Sequence, residues 1–296
     1  MKILLLGKNG QVGWELQRSL SVLGEVIALD RNASPLCGDL TRLHDLALTV
    51  QSVRPDVIVN AAAYTAVDKA ESEPDLAALI NTEAPKLLAQ EAAKLNALLV
   101  HFSTDYVFNG LGADPWVEGA ATGPLSIYGH TKLQGEQAIQ ESGCKYLIFR
   151  TSWVYAAHGA NFAKTMLRLA AEHTQLSVIN DQYGAPTHAS LLADVTAHAV
   201  RIVQKKPSAL GIYHCVPTGE TTWFDYASYV INRARELNVP LKVESILPVS
   251  TAEYPTPARR PLNSRLNTDK LQQTFDLTLP AWEQGVNRML QEILEK

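Results

Sequence analysis

Cysteine is scarce: Cys37, Cys144 and Cys215 are the only three in 296 residues. They are odd in number and scattered, and none has the C-x-x-C or Cys/His spacing of a metal site, which excludes a disulfide framework and leaves reduced packing residues. Excess positive charge is also lacking. The 26 Lys and Arg against 30 Asp and Glu give a net charge of -4, with no basic stripe or arginine-rich arm to neutralise a phosphate backbone, so nucleic acid is not an expected partner. No apolar run approaches the ~20 residues of a bilayer span, and the opening Met1–Gly7 is too short and too soon broken for a signal peptide. The expected location is the cytoplasm, with no membrane partner. Internal repeats and low-complexity linkers are missing as well. What remains, with 46% apolar residues over this length, is one large domain or two moderate ones with a sizeable core.

Short apolar strands alternate with amphipathic helical stretches through the first half of the chain, the pattern of a parallel sheet covered by helices. Strands are expected at 2–6, 25–29, 57–59, 97–102 and 145–149, with helices at 11–23, 43–53, 81–95 and 126–141. Beyond Arg150 the rhythm becomes intermittent. Helices are expected at 161–173, 189–205, 223–237 and 280–294, a strand at 212–214, and an irregular turn at 182–186. The segment 248–263, carrying Pro255, Pro257, Pro261 and the pair Arg259-Arg260, reads as a long loop suited to ligand contact.

Gly7-Lys8-Asn9-Gly10-Gln11-Val12-Gly13 lies between the first strand and the first helix, the context a dinucleotide fingerprint requires. Glycine serves the sharp turn, the close approach of backbone to a pyrophosphate and the tight helix–strand packing, while the helix start offers free N–H groups to phosphate. Asp30 ends the second strand, where its carboxylate can accept hydrogen bonds from an adenine-ribose diol; Arg31 beside it can instead pair with a 2′-phosphate, so NADH and NADPH both stay open.

Tyr128 and Lys132 form a Y-x-x-x-K pair, four residues apart and therefore on one helical face. A lysine there is expected to hold down the phenol's pKa and ready it for proton transfer to a developing alkoxide. Placement adds weight to the spacing. The pair follows the strand ending in Ser103-Thr104, which brings a hydroxyl to the carboxyl ends of parallel strands, where such sheets bind ligands.

With these residues in view the chain resembles an extended short-chain dehydrogenase/reductase, and within it the branch acting on a deoxythymidine-diphosphate keto sugar. The resemblance spans essentially the whole length. It rests on the runs Asn60-Ala61-Ala62-Ala63-Tyr64-Thr65-Ala66-Val67-Asp68, Ser103-Thr104-Asp105-Tyr106-Val107-Phe108, Tyr128-Gly129-His130-Thr131-Lys132, Arg150-Thr151-Ser152-Trp153 and Arg260-Pro261-Leu262-Asn263-Ser264. It implies a Rossmann-type doubly wound parallel sheet and a smaller, discontinuous α/β substrate domain. The corresponding division is 1–152 plus about 188–216 for NAD(P), and about 153–187 plus 217–296 for the sugar nucleotide. It implies NADPH- or NADH-dependent reduction of the C4 ketone of dTDP-4-dehydro-β-L-rhamnose, the last step in making that sugar donor for polysaccharide assembly. By matching position, Tyr128 protonates the oxygen, Lys132 binds the nicotinamide ribose and Thr104 hydrogen-bonds the reacting centre. Gly7, Gly10, Gln11, Val12, Gly13, Asp30, Arg31, Asp39, Leu40, Ala63, Tyr64 and Thr65 are the remaining cofactor residues, and Asp105 and Trp153 contact the sugar. Arg260, or its neighbour Arg259, is a candidate clamp on the substrate pyrophosphate, the alternative being a solvated charge pair.

Some relatives hold Mg²⁺ at a homodimer contact through carboxylates matching Glu15 and position 190. Here position 190 is serine, which cannot supply a charged oxygen, so no metal is expected while a homodimer stays possible. Epimerases and dehydratases share the fold but retain NAD and return the hydride. Their Thr-Asp-Glu run is replaced here by Thr104-Asp105-Tyr106, which removes an obvious base for eliminating water. A non-catalytic regulatory subunit on the same scaffold is a further alternative, and the intact Thr104, Tyr128 and Lys132 set argues against it.

Overall fold

Runs of Ile, Leu and Val that are apolar at every position can be buried on both faces, and in the computed structural model, which describes residues 1–294, they form one parallel sheet. Its strands are β1 (Lys2–Leu6), β2 (Glu25–Leu29), β3 (Val57–Asn60), β4 (Leu98–Thr104), β5 (Lys145–Thr151) and the edge strand Gly211–His214. Their spatial order is β2-β1-β3-β4-β5-edge. The two-residue side-chain period divides the core. Ile3, Leu5, Val57, Val59 and Val100 face Leu16 and Leu20 of α1 (Gln11–Ser21) and the helix Ala189–Val203. Leu4, Leu6, Ile58 and Leu99 face Leu46 and Val50 of α2 (Leu43–Val53) and the helix Ala84–Leu95. Strand order reverses at β1, which pairs with both β2 and β3. The chain therefore leaves these neighbours in opposite directions and opens a crevice at their carboxyl ends.

The expected strands and helices of the first half are present with small shifts at their ends. The helix expected over 81–95 differs: Leu79–Glu83 is a π-helical turn, and the α-helix begins at Ala84. Pro85 supplies the reason, since it has no N–H for the carbonyl of Asn81 and the ladder must widen there. That carbonyl lies so close to the helix Ile127–Glu141 that a Cβ on Gly135 would sit 2.2 Å from it.

In the second half, the helices Phe162–Glu172, Trp223–Glu236 and Trp282–Leu294 gather Tyr155, Ala163, Tyr226, Val230, Trp282 and Val286 into a separate core. The expected long loop at 248–263 is shorter than that. Ser245–Val249 is a strand pairing in parallel with Gln175–Ile179, and both were missed because each is short and half-exposed. Pro248 is tolerated there because a two-stranded pair leaves one edge free. Leu271 and Phe275, on the short helix Asp269–Phe275, return to pack on the main sheet. Among the described residues no helix is long and apolar enough to cross a membrane.

Candidate active site

The glycine turn leaves β1 with Gly7 at φ +87°, and the Gly7 N–H donates to the carbonyl of Leu29 at 2.9 Å. A Cβ at Gly7 would lie 2.8 Å from the Ala62 backbone nitrogen, and one at Gly13 would lie 2.0 Å from the Gly7 carbonyl oxygen. Both positions are forced by the chain's own packing. Gly10 is different, because its Cβ would meet only the Gly7 oxygen at 3.4 Å; what its bare backbone admits is an approach from outside. Helix α1 starts at this point without a side-chain cap, leaving its first N–H groups to face an anion. These features fit a dinucleotide pyrophosphate.

Asp30 stands across the turn, accepting from Asn9 Nδ2 at 2.9 Å and from the Asn32 N–H at 2.8 Å. The Asn32 N–H, with Lys8 and Asn9, holds its carboxyl below the usual range. Lys8 Nζ lies 3.5 Å from it, a cation the sequence reading did not single out. Arg31 is largely exposed and reaches Asp39 at 4.0 Å, while Asp39 also accepts from the Thr41 N–H and hydroxyl. The Leu40 side chain is buried in the core. Past β3, Ala63, Tyr64 and Thr65 line the chain's exit. Asn81 fixes that segment: its Oδ1 accepts from the Tyr64 N–H at 2.9 Å and its Nδ2 donates to the Tyr64 carbonyl at 3.1 Å. The buried Asn81 was read only as the start of a helix; its anchoring role depends on the π turn, which no pattern announced.

Thr104, Asp105, Tyr128 and Lys132 converge at the end of β4. Thr104 donates to Asp105 Oδ1 at 3.0 Å and also hydrogen-bonds Tyr128. The helix Ile127–Glu141, capped by Ser126, carries the Y-x-x-x-K pair, and Glu136, one turn beyond Lys132, is buried in a bidentate ion pair with Arg150 of β5 at 3.0 and 2.7 Å. The phenol of Tyr128 is not tuned downward as the spacing predicted. Burial around its hydroxyl, with the Asp105 charge nearby, pushes it up to about 12. Lys132 is turned elsewhere: its Nζ donates to the Phe102 carbonyl at 2.6 Å and lies 3.2 Å from His101 Nε2. Burial draws that amine down to about 8. Burial likewise raises Asp105 to about 6, against hydrogen bonds with Ser264 and Thr104 that lower it.

On the far side, Trp153 follows β5 with φ +49° and stacks on Trp223 with ring centroids 3.8 Å apart. Arg260 lies against Asp68, its two terminal nitrogens at 3.0 and 2.6 Å from the two carboxylate oxygens. Arg259 is exposed. Ser190 Oγ lies 2.6 Å from His188 Nδ1, and among the described residues no three His, Cys, Asp or Glu side chains gather as a metal site. The three cysteines are free and buried.

The family model described as the RmlD substrate binding domain matches residues 1–295. The chain belongs to this family. Among its relatives, the dTDP-4-dehydrorhamnose reductase of Escherichia coli (strain K12) is 58% identical over 293 residues, covering 99% of this chain and 98% of the relative. A crystal structure of a dTDP-4-dehydrorhamnose reductase from Clostridium acetobutylicum superposes with a TM-score of 0.90 at 36% identity over the full length of both chains. Another, from Bacillus anthracis and in complex with NADP, gives 0.87 at 37% identity, covering 98% of this chain and 99% of that one. These reductases share the α/β architecture described above, and the Bacillus anthracis enzyme holds NADP.

Proposed function

We propose that this chain reduces the C4 ketone of dTDP-4-dehydro-β-L-rhamnose to dTDP-L-rhamnose with NADPH or NADH. The convergence of Thr104, Tyr128 and Lys132 at the carboxyl end of β4, across the sheet crevice from the glycine turn, carries this reading. The turn from Gly7 to Gly13 and Asp30 would hold the dinucleotide, which when bound supplies the hydride. Tyr128 acts as the general acid. A phenol pushed up to about 12 stays protonated at neutral pH, the form a reduction needs, and it delivers its proton to the oxygen of the carbonyl being reduced. The Thr104 hydroxyl aligns the phenol, and Lys132, anchored by Phe102, has a donor left for the nicotinamide ribose. Trp153 and Asp105 face the sugar.

The same reading divides the chain into a cofactor part, 1–152 with about 188–216, and a substrate part, about 153–187 with 217–296, whose Leu271 and Phe275 brace the cofactor part. It places the enzyme in the cytoplasm as a homodimer without metal at Ser190. Arg260 serves the substrate pyrophosphate by exchanging its Asp68 partner for phosphate. The test follows absorbance of reduced cofactor while the keto sugar is generated in place, with NADH and NADPH compared. One equivalent of reduced cofactor consumed per sugar is expected; conversion without cofactor consumption would identify an epimerase or dehydratase instead. Light scattering with and without EDTA checks the metal-free dimer, which a monomer or a chelator-sensitive assembly would refute.

A further inference from the structure

Trp153, the ring expected at the sugar, opens a segment that folds back onto the glycine turn. The residues of this strap are first tied to one another. Asn161 Nδ2 donates to the Ala156 carbonyl at 2.7 Å, and Lys164 Nζ donates to the Ala157 carbonyl and to that of Gly159 at 2.8 Å. Gly159, at φ +77°, makes the bend, and a Cβ there would lie 3.2 Å from Gln11 Cγ. Side chains then join the strap to the turn. Gln11 Nε2 donates to the Val154 carbonyl at 3.4 Å, and its Oε1 accepts from Asn161 Nδ2 at 3.3 Å. The ring of His158 stacks on Trp14 of α1, with centroids 4.4 Å apart and 9° between the planes. His158 Nε2 lies 3.0 Å from the Asn9 carbonyl oxygen, which can only accept, so this nitrogen carries a proton and donates. The Asn9 side chain in turn donates to Asp30.

We propose that His158 is a positioning residue for the reduction: clipped to Trp14 and to the Asn9 carbonyl, it holds the segment that begins at Trp153 against the glycine turn, so that the dinucleotide and the sugar nucleotide each bind more tightly with the other in place. The inference rests on the reductase reading above. Asn9 and Gln11 belong to the turn that receives the pyrophosphate, and Trp153 stands at the sugar end of the same strap. The joined arrangement therefore presents both sites already formed. The first ligand to bind selects that arrangement, and the second finds it in place. Linkage makes the effect reciprocal, with one factor for both ligands. The contact serves this join rather than the seating of α1: Trp14 is 50% exposed, and Leu16 and Leu20 pack the helix on the sheet without it.

NADPH and dTDP-L-rhamnose form a pair that cannot react, since both are already reduced, and calorimetric titration of each with and without the other reads the factor. In wild type a tightening of about 2- to 10-fold is expected, the range one aromatic stack supplies, and it is equal in both directions. In His158→Ala the two ends open independently, so the factor is expected to fall to about one while the Kd for NADPH alone rises by a similar range. Trp14→Phe, which keeps a ring face for the imidazole, is expected to retain the factor, and Trp14→Ala to lose it. A merely structural role weakens each ligand alone and leaves the factor unmoved. That result, or two ligands that bind wild type without influencing each other, overturns the proposal. Failure of dTDP-L-rhamnose to bind wild type would instead defeat the reductase reading. NADPH then decides for the clip by itself: a raised Kd in His158→Ala upholds its hold on the turn, and an unchanged Kd overturns it.

Discussion

Trp153 and Trp223 stack with 18° between their planes, joining the segment after β5 to the helix Trp223–Glu236. Trp223 Nε1 donates to Gln182 at 3.1 Å, and a Cβ on Gly184 would strike the Trp153 ring at 2.9 Å. The ring expected to meet the sugar is therefore held from both sides. Stacking of this kind contributes about 0.5–1.5 kcal/mol, or roughly 2- to 10-fold in an equilibrium constant. Trp223→Ala is expected to raise KM for the sugar nucleotide by that factor with less change in kcat, and Gly184→Ala to do the same by displacing the ring. Steady-state kinetics at saturating NADPH check both; an unchanged KM in both variants would detach this platform from substrate binding.

Tyr128→Phe removes the acid while keeping the ring and its edge-to-face contact with Tyr106, whose centroid is 5.5 Å away. Loss of a positioned general acid costs about 10²–10⁴ in turnover. Cofactor affinity, read by quenching of protein fluorescence, is expected to hold, since glycine-turn contacts are untouched. Retention of turnover within a few-fold of wild type would remove Tyr128 from the chemistry.

How legible this was differs between parts of the site. The sheet declared itself because its strands are apolar at every position, and the glycine turn because a strand-to-helix turn with three glycines has few other uses. Tyr128 and Lys132 were readable as a pair on one helical face, but the sign of the phenol's shift was not, because desolvation depends on the whole surrounding shell rather than on one neighbour. Asn81 and His101 could not be assigned from sequence, since one depends on a π turn at Pro85 and the other on strand register. Trp223 and the Asp68–Arg260 pair join distant segments, a pairing no local period encodes.

Asp105 gives a pH dependence of stability. Its carboxyl is 2% exposed and burial raises it to about 6, above the unfolded value near ~3.9. The native state thus holds this proton more tightly than the unfolded chain does. Its effect on stability is neutral below about pH 4, becomes a penalty as pH rises through 6, and is constant above, reaching about 3 kcal/mol. Asp105→Asn, which cannot ionise, is expected to escape it. Urea unfolding of both proteins at pH 4.5 and 7 is the check: the variant should gain on wild type between the two. A stability difference independent of pH would place the ionised carboxylate in a better-solvated setting than its burial implies.

Lys8 and Arg31 flank Asp30, Lys8 at 3.5 Å from its carboxylate and Arg31 exposed beside it. A carboxylate at this position favours a ribose diol and repels a 2′-phosphate, so acceptance of NADPH depends on cations that offset it. Lys8 and Arg31 carry such charges, and both side chains are long enough to swing toward a phosphate. Each exposed contact of this kind is worth up to about 1 kcal/mol. The double change Lys8→Ala with Arg31→Ala is therefore expected to raise KM for NADPH roughly 10-fold while leaving NADH within about 2-fold, shifting the preference toward the unphosphorylated cofactor. Asp30→Ala should move selectivity the other way, because it removes both the diol acceptor and the repulsion. Initial rates with each cofactor at fixed keto sugar measure the ratio. Parallel losses for NADH and NADPH in the double variant would mean that these cations steady the turn itself and do not read the 2′ position.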